Sequence, residues 1–274
     1  MGCANISPEA GGLIGSCNES LSWKAERAVN APVITVPAFA PSRSGVRHFF
    51  GTRRHSASLT LQMGVPAPAQ VFKGATRSAW MLSVKQVHGT DVLVVDRKLT
   101  QSDRFLDGWD ALVTDQPGIM VAVRTADCVP ILIHDPTRKV VAAVHAGWRG
   151  AVAGIVRKTI DLMESRFGSA PPHLCVSIGP SVGVCCYEVD GAVLDRLHQA
   201  CPDAGKVVRG RRGDKAHLDL KMLIREQVRD AGARPESITS VNLCTICHED
   251  LFYSYRREGR VIGTMVSAIG LAPL

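Results

Sequence analysis

A chain of 274 residues and 29.4 kDa, 46% hydrophobic and 21% charged, carries enough apolar material for a sizeable core, which excludes a disordered chain and a short disulfide-stapled scaffold. Lys plus Arg exceed Asp plus Glu by 7, giving a pI near 9.1 that favours anionic ligands. Aromatic residues make up 5%, too few to interleave with the basic clusters as nucleic-acid binding wants. No stretch approaches the roughly eighteen uninterrupted apolar residues of a membrane span. The first thirty residues carry acidic and polar groups where a secretory apolar region would stand, and nine cysteines is an odd count. A cytoplasmic chain with reduced thiols is therefore expected, partnering neither nucleic acid nor membrane.

Residues 1–44 are rich in Gly, Ser, Ala and Pro and read as a loosely ordered lead-in, broken by an apolar run at Val33 to Val36. Residues 45–274 read as one domain in which short apolar runs alternate with helical patterns. Strands are expected at Val92 to Val95, Ile119 to Val123, Ile131 to Ile133, Val140 to Val144, Leu174 to Ile178 and Val241 to Leu243. Several lack polar alternation, which implies burial on both faces. Val152, Ile155, Val156, Ile160 and Met163 recur at helical spacing, as do Leu220, Leu223, Ile224 and Val228 before a stop at Gly232. These patterns give an α+β protein with helices over a sheet core.

The chemistry-bearing residues concentrate between Lys85 and Gly150. Asp135-Pro136-Thr137-Arg138 suits a tight turn between two strand patterns. With Asp135 facing Arg138, counting outward places Cys128 opposite His145, their side chains on one face. A third donor, His88, would arrive from a separate loop. Cys, His and His with an open fourth position suit a catalytic zinc; without metal, Cys128 and His145 resemble a thiolate and imidazole nucleophile pair. Glycines around Trp148-Arg149 and a proline after Cys128 point to backbone shaped around a site. Cys244-Thr245-Ile246-Cys247-His248 lacks a second spaced pair, and Cys185-Cys186 is adjacent rather than spaced, so these cysteines read as packing residues.

Together, Lys85-Gln86-Val87-His88-Gly89, Thr125-Ala126-Asp127-Cys128-Val129-Pro130, His145-Ala146-Gly147-Trp148-Arg149-Gly150, Ile178-Gly179-Pro180 with Cys186-Tyr187-Glu188-Val189, and Tyr253-Ser254-Tyr255-Arg256-Arg257 resemble the YfiH-type family. Its members are described both as multicopper polyphenol oxidases (laccases) and as purine nucleoside phosphorylases with adenosine deaminase activity. The resemblance implies a layered αββα sandwich with mixed sheets and a zinc held by His88, Cys128 and His145. It also implies Cys128, Asp127 and Arg149 as catalytic residues, Arg53 and Gln86 as substrate and phosphate contacts, and a purine nucleoside and inorganic phosphate as partners. The stretch after Arg53 departs from the family pattern, with His55, Ser56 and Thr60-Leu61-Gln62 where paired glycines and an Asn-Leu-Gly are usual. Two alternatives stand beside this reading. One is a copper-dependent polyphenol oxidase, although the chain has none of the His-x-His pairs of laccase copper sites. The other is a protein that edits or binds peptidoglycan precursors through Cys128.

Overall fold

Four seven-residue runs dominated by Val, Ile, Leu, Met and Ala form the strands at the centre of the molecule: Ile119–Thr125 (β7), Val129–Asp135 (β8), Val140–Ala146 (β9) and Met265–Leu271 (β15). Apart from Arg124, every residue in them is buried, as expected for strands covered on both faces. In this computed structural model, residues 24–28, 31–39, 45–56, 80–99, 103 and 105–272 are described. The stretch 57–79, which holds Thr60-Leu61-Gln62, lies outside them.

One mixed sheet runs Lys24–Ala28 (β1), Ala31–Thr35 (β2), Val46–Gly51 (β3), β15, β7 and Trp80–Ser83 (β4). A second runs Ile238–Ser240 (β14), Cys175–Ile178 (β10), β8, β9, Ala111–Thr114 (β6) and Val92–Val95 (β5). Glu188–Val189 (β11), Lys215–Leu218 (β13) and Val208–Arg212 (β12) form a small antiparallel sheet. Part of the segment expected as a loose lead-in thus supplies β1 and β2, which extend the first sheet beyond β3.

The two large sheets pack face to face. Phe50, Leu82, Val121, Val123 and Ile269 of the first meet Leu112, Leu132, Val141 and Ala143 of the second. The alternate residues of β8 and β9 face outward onto helices Trp148–Val152 (α2), Ile155–Phe167 (α3), Gly191–Ala200 (α4) and Leu220–Asp230 (α5). A single turn, Arg53–Ser56 (α1), follows β3, and Tyr255–Glu258 (α6) precedes β15. The α+β layered sandwich is therefore the observed architecture. Asp219 caps α5 by accepting the Met222 N–H at 2.9 Å, and Gly232 stands just past its end at φ +100°, as its sequence position implied. Among the described residues, no helix is long and apolar enough to cross a membrane.

Two expectations shift. The strand expected at Val241 to Leu243 lies three residues earlier, at Ile238–Ser240. Its parallel ladder with β10 runs from Val176↔Ile238 to Ile178↔Ser240, then resumes at Ser181↔Cys244 with one extra residue on the second segment. Pro180 has no N–H to carry the ladder across that gap. The hairpin between β8 and β9 also forms, but Asp135 pairs with Val140 rather than Arg138. Asp135 Oδ1 accepts the N–H groups of Thr137 and Arg138 at 2.8 and 3.1 Å, and Lys139 adopts φ +55°, which makes the turn two residues longer. His145 consequently faces Pro130, and Cys128 lies beyond the last pair, Val129↔Ala146. A shift of two residues leaves every side chain on its original face, so Cys128 and His145 still converge.

Two buried histidines flank Phe39, with ring centroids at 5.0 Å (His48) and 6.3 Å (His134). Burial pushes both imidazoles down from 6.5 to about 4. As pH falls below 6.5 the unfolded chain takes up these protons while the native state does not. Stability is therefore complete above pH 6.5 and falls through the window down to 4, by up to about 3 kcal/mol for each histidine. Urea titrations at pH 7 and 4.5 should show this loss, and His134→Leu should remove a large share of it. An unchanged slope in that variant would assign the acid sensitivity elsewhere.

Candidate metal centre and its cleft

The site is built around a carboxylate. Asp110 immediately precedes β6, and the β6/β9 ladder places it one step beyond Ala111↔Val144, beside His145. The backbone pairing continues there, with the His145 N–H donating to the Asp110 carbonyl at 2.7 Å. Above that bond, His145 Nδ1 meets Asp110 Oδ1 at 2.7 Å. The same fully buried carboxylate accepts the N–H groups of Val87, His88 and Gly89 at 3.2, 2.9 and 2.6 Å. One side chain thus orients His145 and anchors the loop that delivers His88, whose φ of +60° is held by these bonds.

Because Nδ1 of His145 is committed to Asp110, Nε2 is the nitrogen left for a ligand. His88 Nε2 lies 3.8 Å from Cys128 Sγ, and the donor atoms of His88, Cys128 and His145 all lie within 4.8 Å of one another. Metal bonds of about 2.0–2.3 Å from a common centre suit this spacing. Burial alone would push the Cys128 thiol up, but contacts with His145 and His88 outweigh it and bring the thiol down to about 7. Burial would lower His145, yet Asp110 and Cys128 raise it to about 9. Burial likewise favours protonation of Asp110, and His145 with the Gly89 and His88 N–H groups overrides it, so the carboxyl sits below its ordinary value. The donor set favours the thiolate, the form that binds metal. Gly147 is required beside it, since a Cβ there would sit 2.8 Å from His88 Cδ2 and 3.1 Å from Cys128 Sγ.

The structure brings His88, Cys128 and His145 together and distributes the other expected residues around them. Asp127, at φ +92°, is buried, and its carboxylate accepts from Thr245 Oγ1 (2.6 Å), Ser254 Oγ (3.0 Å) and the Arg256 N–H (2.7 Å). That bonding holds the backbone that presents Cys128. Arg149 stacks over Trp148 at 4.7 Å on the wall of a cleft of about 470 Å³ shared with His88, Arg196 and Gln199. Gln86 spends its amide on the backbone of Arg124, donating to the carbonyl at 2.7 Å and accepting the N–H at 2.8 Å, and so ties down the His88 loop. Arg53 donates from Nη1 to the Glu249 carbonyl at 2.6 Å and lies over the Tyr253 ring at 5.0 Å.

Sequence reasoning missed Asp110 and Arg196. For Asp110 the available signal was an acidic residue immediately before a wholly apolar strand. Arg196, on the exposed side of α4, carried none. The cysteines read as packing residues are also corrected: Cys185, Cys186, Cys244 and Cys247 form a second cluster, with all four sulfurs within 4.8 Å of one another. Two segments distant in sequence supply a pair each, which neither Cys pair shows by itself.

The chain is 38% identical over 255 residues to a purine nucleoside phosphorylase, YlmD, of Geobacillus stearothermophilus, covering 85% of this chain and 92% of that protein. It is 35% identical over 181 residues to an adenosine deaminase, RL5, from an unknown prokaryotic organism, covering 64% of this chain and 69% of that one. Crystal structures of YfiH from Bacillus licheniformis and of YlmD from Geobacillus stearothermophilus each superpose with a TM-score of 0.75, at 28% and 31% identity, and cover 91% and 90% of this chain and 98% of their own. A family model described as multi-copper polyphenol oxidoreductase laccase matches residues 68–272, a span that includes His88, Asp110, Cys128 and His145 but begins after Arg53. The chain belongs to that family, the YfiH-type proteins.

Proposed function

We propose that the protein is a zinc-dependent purine nucleoside enzyme that performs phosphorolysis of adenosine- and inosine-type nucleosides and deamination of adenosine. The observation that carries this reading is the convergence of His88, Cys128 and His145 beside the arginine-bearing cleft, in a chain whose relatives are named for these activities. Phosphorolysis breaks the glycosidic bond of adenosine with phosphate, giving adenine and ribose 1-phosphate. Deamination replaces the 6-amino group with oxygen from water, giving inosine and ammonia. His88, Cys128 and His145 would hold a divalent ion, which would supply Lewis acidity for the activation of water at this site. Asp110 fixes the His145 tautomer, and Asp127 and Gln86 hold the segments that carry Cys128 and His88. Arg149 and Arg196 bring positive charge to the cleft, where an anionic phosphate is stabilised by charge-assisted hydrogen bonds. Zinc is assigned over copper because one thiolate and two imidazoles with an open position suit it, and because the His-x-His pairs of laccases are lacking.

Incubating metal-quantified protein with adenosine, with and without phosphate, and following inosine, adenine and ribose 1-phosphate tests the reading directly. Arg53 is the expected phosphate contact. Its charge-assisted bonds are worth about 1.5–3 kcal/mol, so Arg53→Ala should weaken phosphorolysis by roughly one to two orders of magnitude and deamination less. Arg149→Ala separates the two arginines: if it weakens phosphorolysis alone while Arg53→Ala affects both reactions equally, phosphate is held at the Trp148 wall, and Arg53 serves to dock the 249–253 segment. No turnover of any purine nucleoside by the zinc-loaded protein, together with oxidation of a phenol by O2 in the copper-loaded protein, would overturn the proposal.

A further inference from the structure

Cys185 and Cys186 lie in the turn that follows β10, and Cys244 and Cys247 lie in the turn that follows β14. Ser181 and Cys244 form the bridge that resumes the ladder between these segments, so the two turns stand side by side. Within the first, the Cys186 and Tyr187 N–H groups both return to the Gly183 carbonyl at 3.0 Å, and this helical turn lets adjacent cysteines face one centre. We propose that these four thiolates hold one zinc ion in a closed structural site, distinct from the His88, Cys128 and His145 centre.

The sulfur spacing carries the inference. Cys186 Sγ lies 3.4 Å and Cys185 Sγ 3.7 Å from Cys247 Sγ, and all four sulfurs lie within 4.8 Å of one another. A tetrahedron with zinc–sulfur bonds of about 2.3 Å has edges of roughly 3.8 Å. A disulfide would need about 2.05 Å. The Gly183 N–H donates to Cys244 Sγ at 3.2 Å, so the backbone of the first turn reaches a sulfur of the second. Any side chain at position 183 would crowd the cluster, because a Cβ there would meet Cys185 Sγ and Cys244 Cβ at 3.1 Å. Arg257, itself paired with Glu258 at 2.7 Å, braces the same turn by donating from Nη1 to the carbonyls of Thr245 and Ile246 at 2.8 and 3.3 Å.

The site would also brace the first centre. Thr245, between the two cysteines of the second turn, donates to Asp127 Oδ1 at 2.6 Å. Val182, one residue before Gly183, donates its N–H to the Asp127 carbonyl at 2.9 Å. Both turns that the ion would join therefore hold Asp127, the left-handed residue that presents Cys128. Four thiols with two exposed members gain little from burial, whereas a metal bond to each converts them into a staple between segments about sixty residues apart.

Metal analysis and alkylation of the full chain, purified under reducing conditions and loaded with zinc, test this. The wild type should carry two equivalents. His88→Ala/His145→Ala should keep one, and Cys186→Ser/Cys247→Ser should lose that one. With cobalt in place of zinc, the histidine variant should retain strong thiolate-to-metal charge-transfer absorption and the cysteine variant should not. Since the cysteine variant could fail to fold, the wild type supplies a second readout: Cys185 and Cys247 are exposed, yet iodoacetamide should modify them only after a chelator is added. Alkylation of both at the same rate with and without chelator would overturn the proposal, as would a folded histidine variant that binds no zinc or the isolation of a disulfide within the quartet from zinc-loaded protein. A single equivalent that survives the histidine substitutions and disappears with the cysteine pair would instead sink the first metal centre and leave this one standing.

Discussion

Asp110→Asn should lower both the melting temperature and the zinc affinity of the His88, Cys128 and His145 centre, although Asp110 is not a ligand. The carboxylate accepts four hydrogen bonds, from His145 Nδ1 and from the N–H groups of Val87, His88 and Gly89, and it is completely buried. An asparagine has the same volume but a single carbonyl oxygen, and its NH₂ group would be turned against donors. Each buried donor left without an acceptor costs about 1–3 kcal/mol, so a loss on the order of 3–5 kcal/mol is expected. The effect on metal has a separate cause. Without the Nδ1 contact the His145 ring is free to change tautomer and to rotate, and the loss of such an outer partner typically weakens metal binding by about 10- to 100-fold. Thermal unfolding of the apo protein reads the first effect, and competition with a chromophoric chelator reads the second. Unchanged affinity in a folded Asp110→Asn protein would show that the Asp110 contact does not orient His145 for metal.

The central strands were legible because burial on both faces leaves an uninterrupted apolar run, and β7, β8 and β9 are runs of that kind. The convergence of Cys128 and His145 was legible for a narrower reason. The turn was misjudged by two residues, since neither the double acceptance by Asp135 nor the left-handed Lys139 is written in hydrophobic periodicity, but a shift of two preserves the face. A shift of one would have separated the pair. What stayed hidden depends on pairing between distant segments. Asp110 meets His145 because β6 lies against β9, and the four cysteines meet because β14 lies parallel to β10; neither pairing has a local sequence signal. Asp127 illustrates the same limit. The family resemblance implied a part in the chemistry for it, and no local pattern announced the three donors from the 245–256 stretch that surround its carboxylate.

Cys128→Ala should abolish metal binding at the first centre and reduce both nucleoside reactions by about 10³-fold or more, because two imidazoles cannot alone hold the ion that activates water. The fold should survive: the side chain is half-buried and the substitution removes one sulfur from a site bounded by loops. This experiment does not by itself separate a ligand from a nucleophile, since a thiol brought down to about 7 beside His145 would also be lost. Replacement by a different donor does. Cys128→Asp or Cys128→His offers oxygen or nitrogen to a divalent ion in place of sulfur, so a ligand role predicts recovery of zinc and of part of the deamination rate in at least one of them. A nucleophilic thiolate that forms a covalent intermediate cannot be replaced in that way, and both variants would stay inactive even when loaded with zinc. Alkylation of the wild type gives the complementary reading. Zinc should shield Cys128 from iodoacetamide if the sulfur is bound to it, whereas a free nucleophile beside the ion would be modified at the same rate with and without chelator, at the cost of all activity.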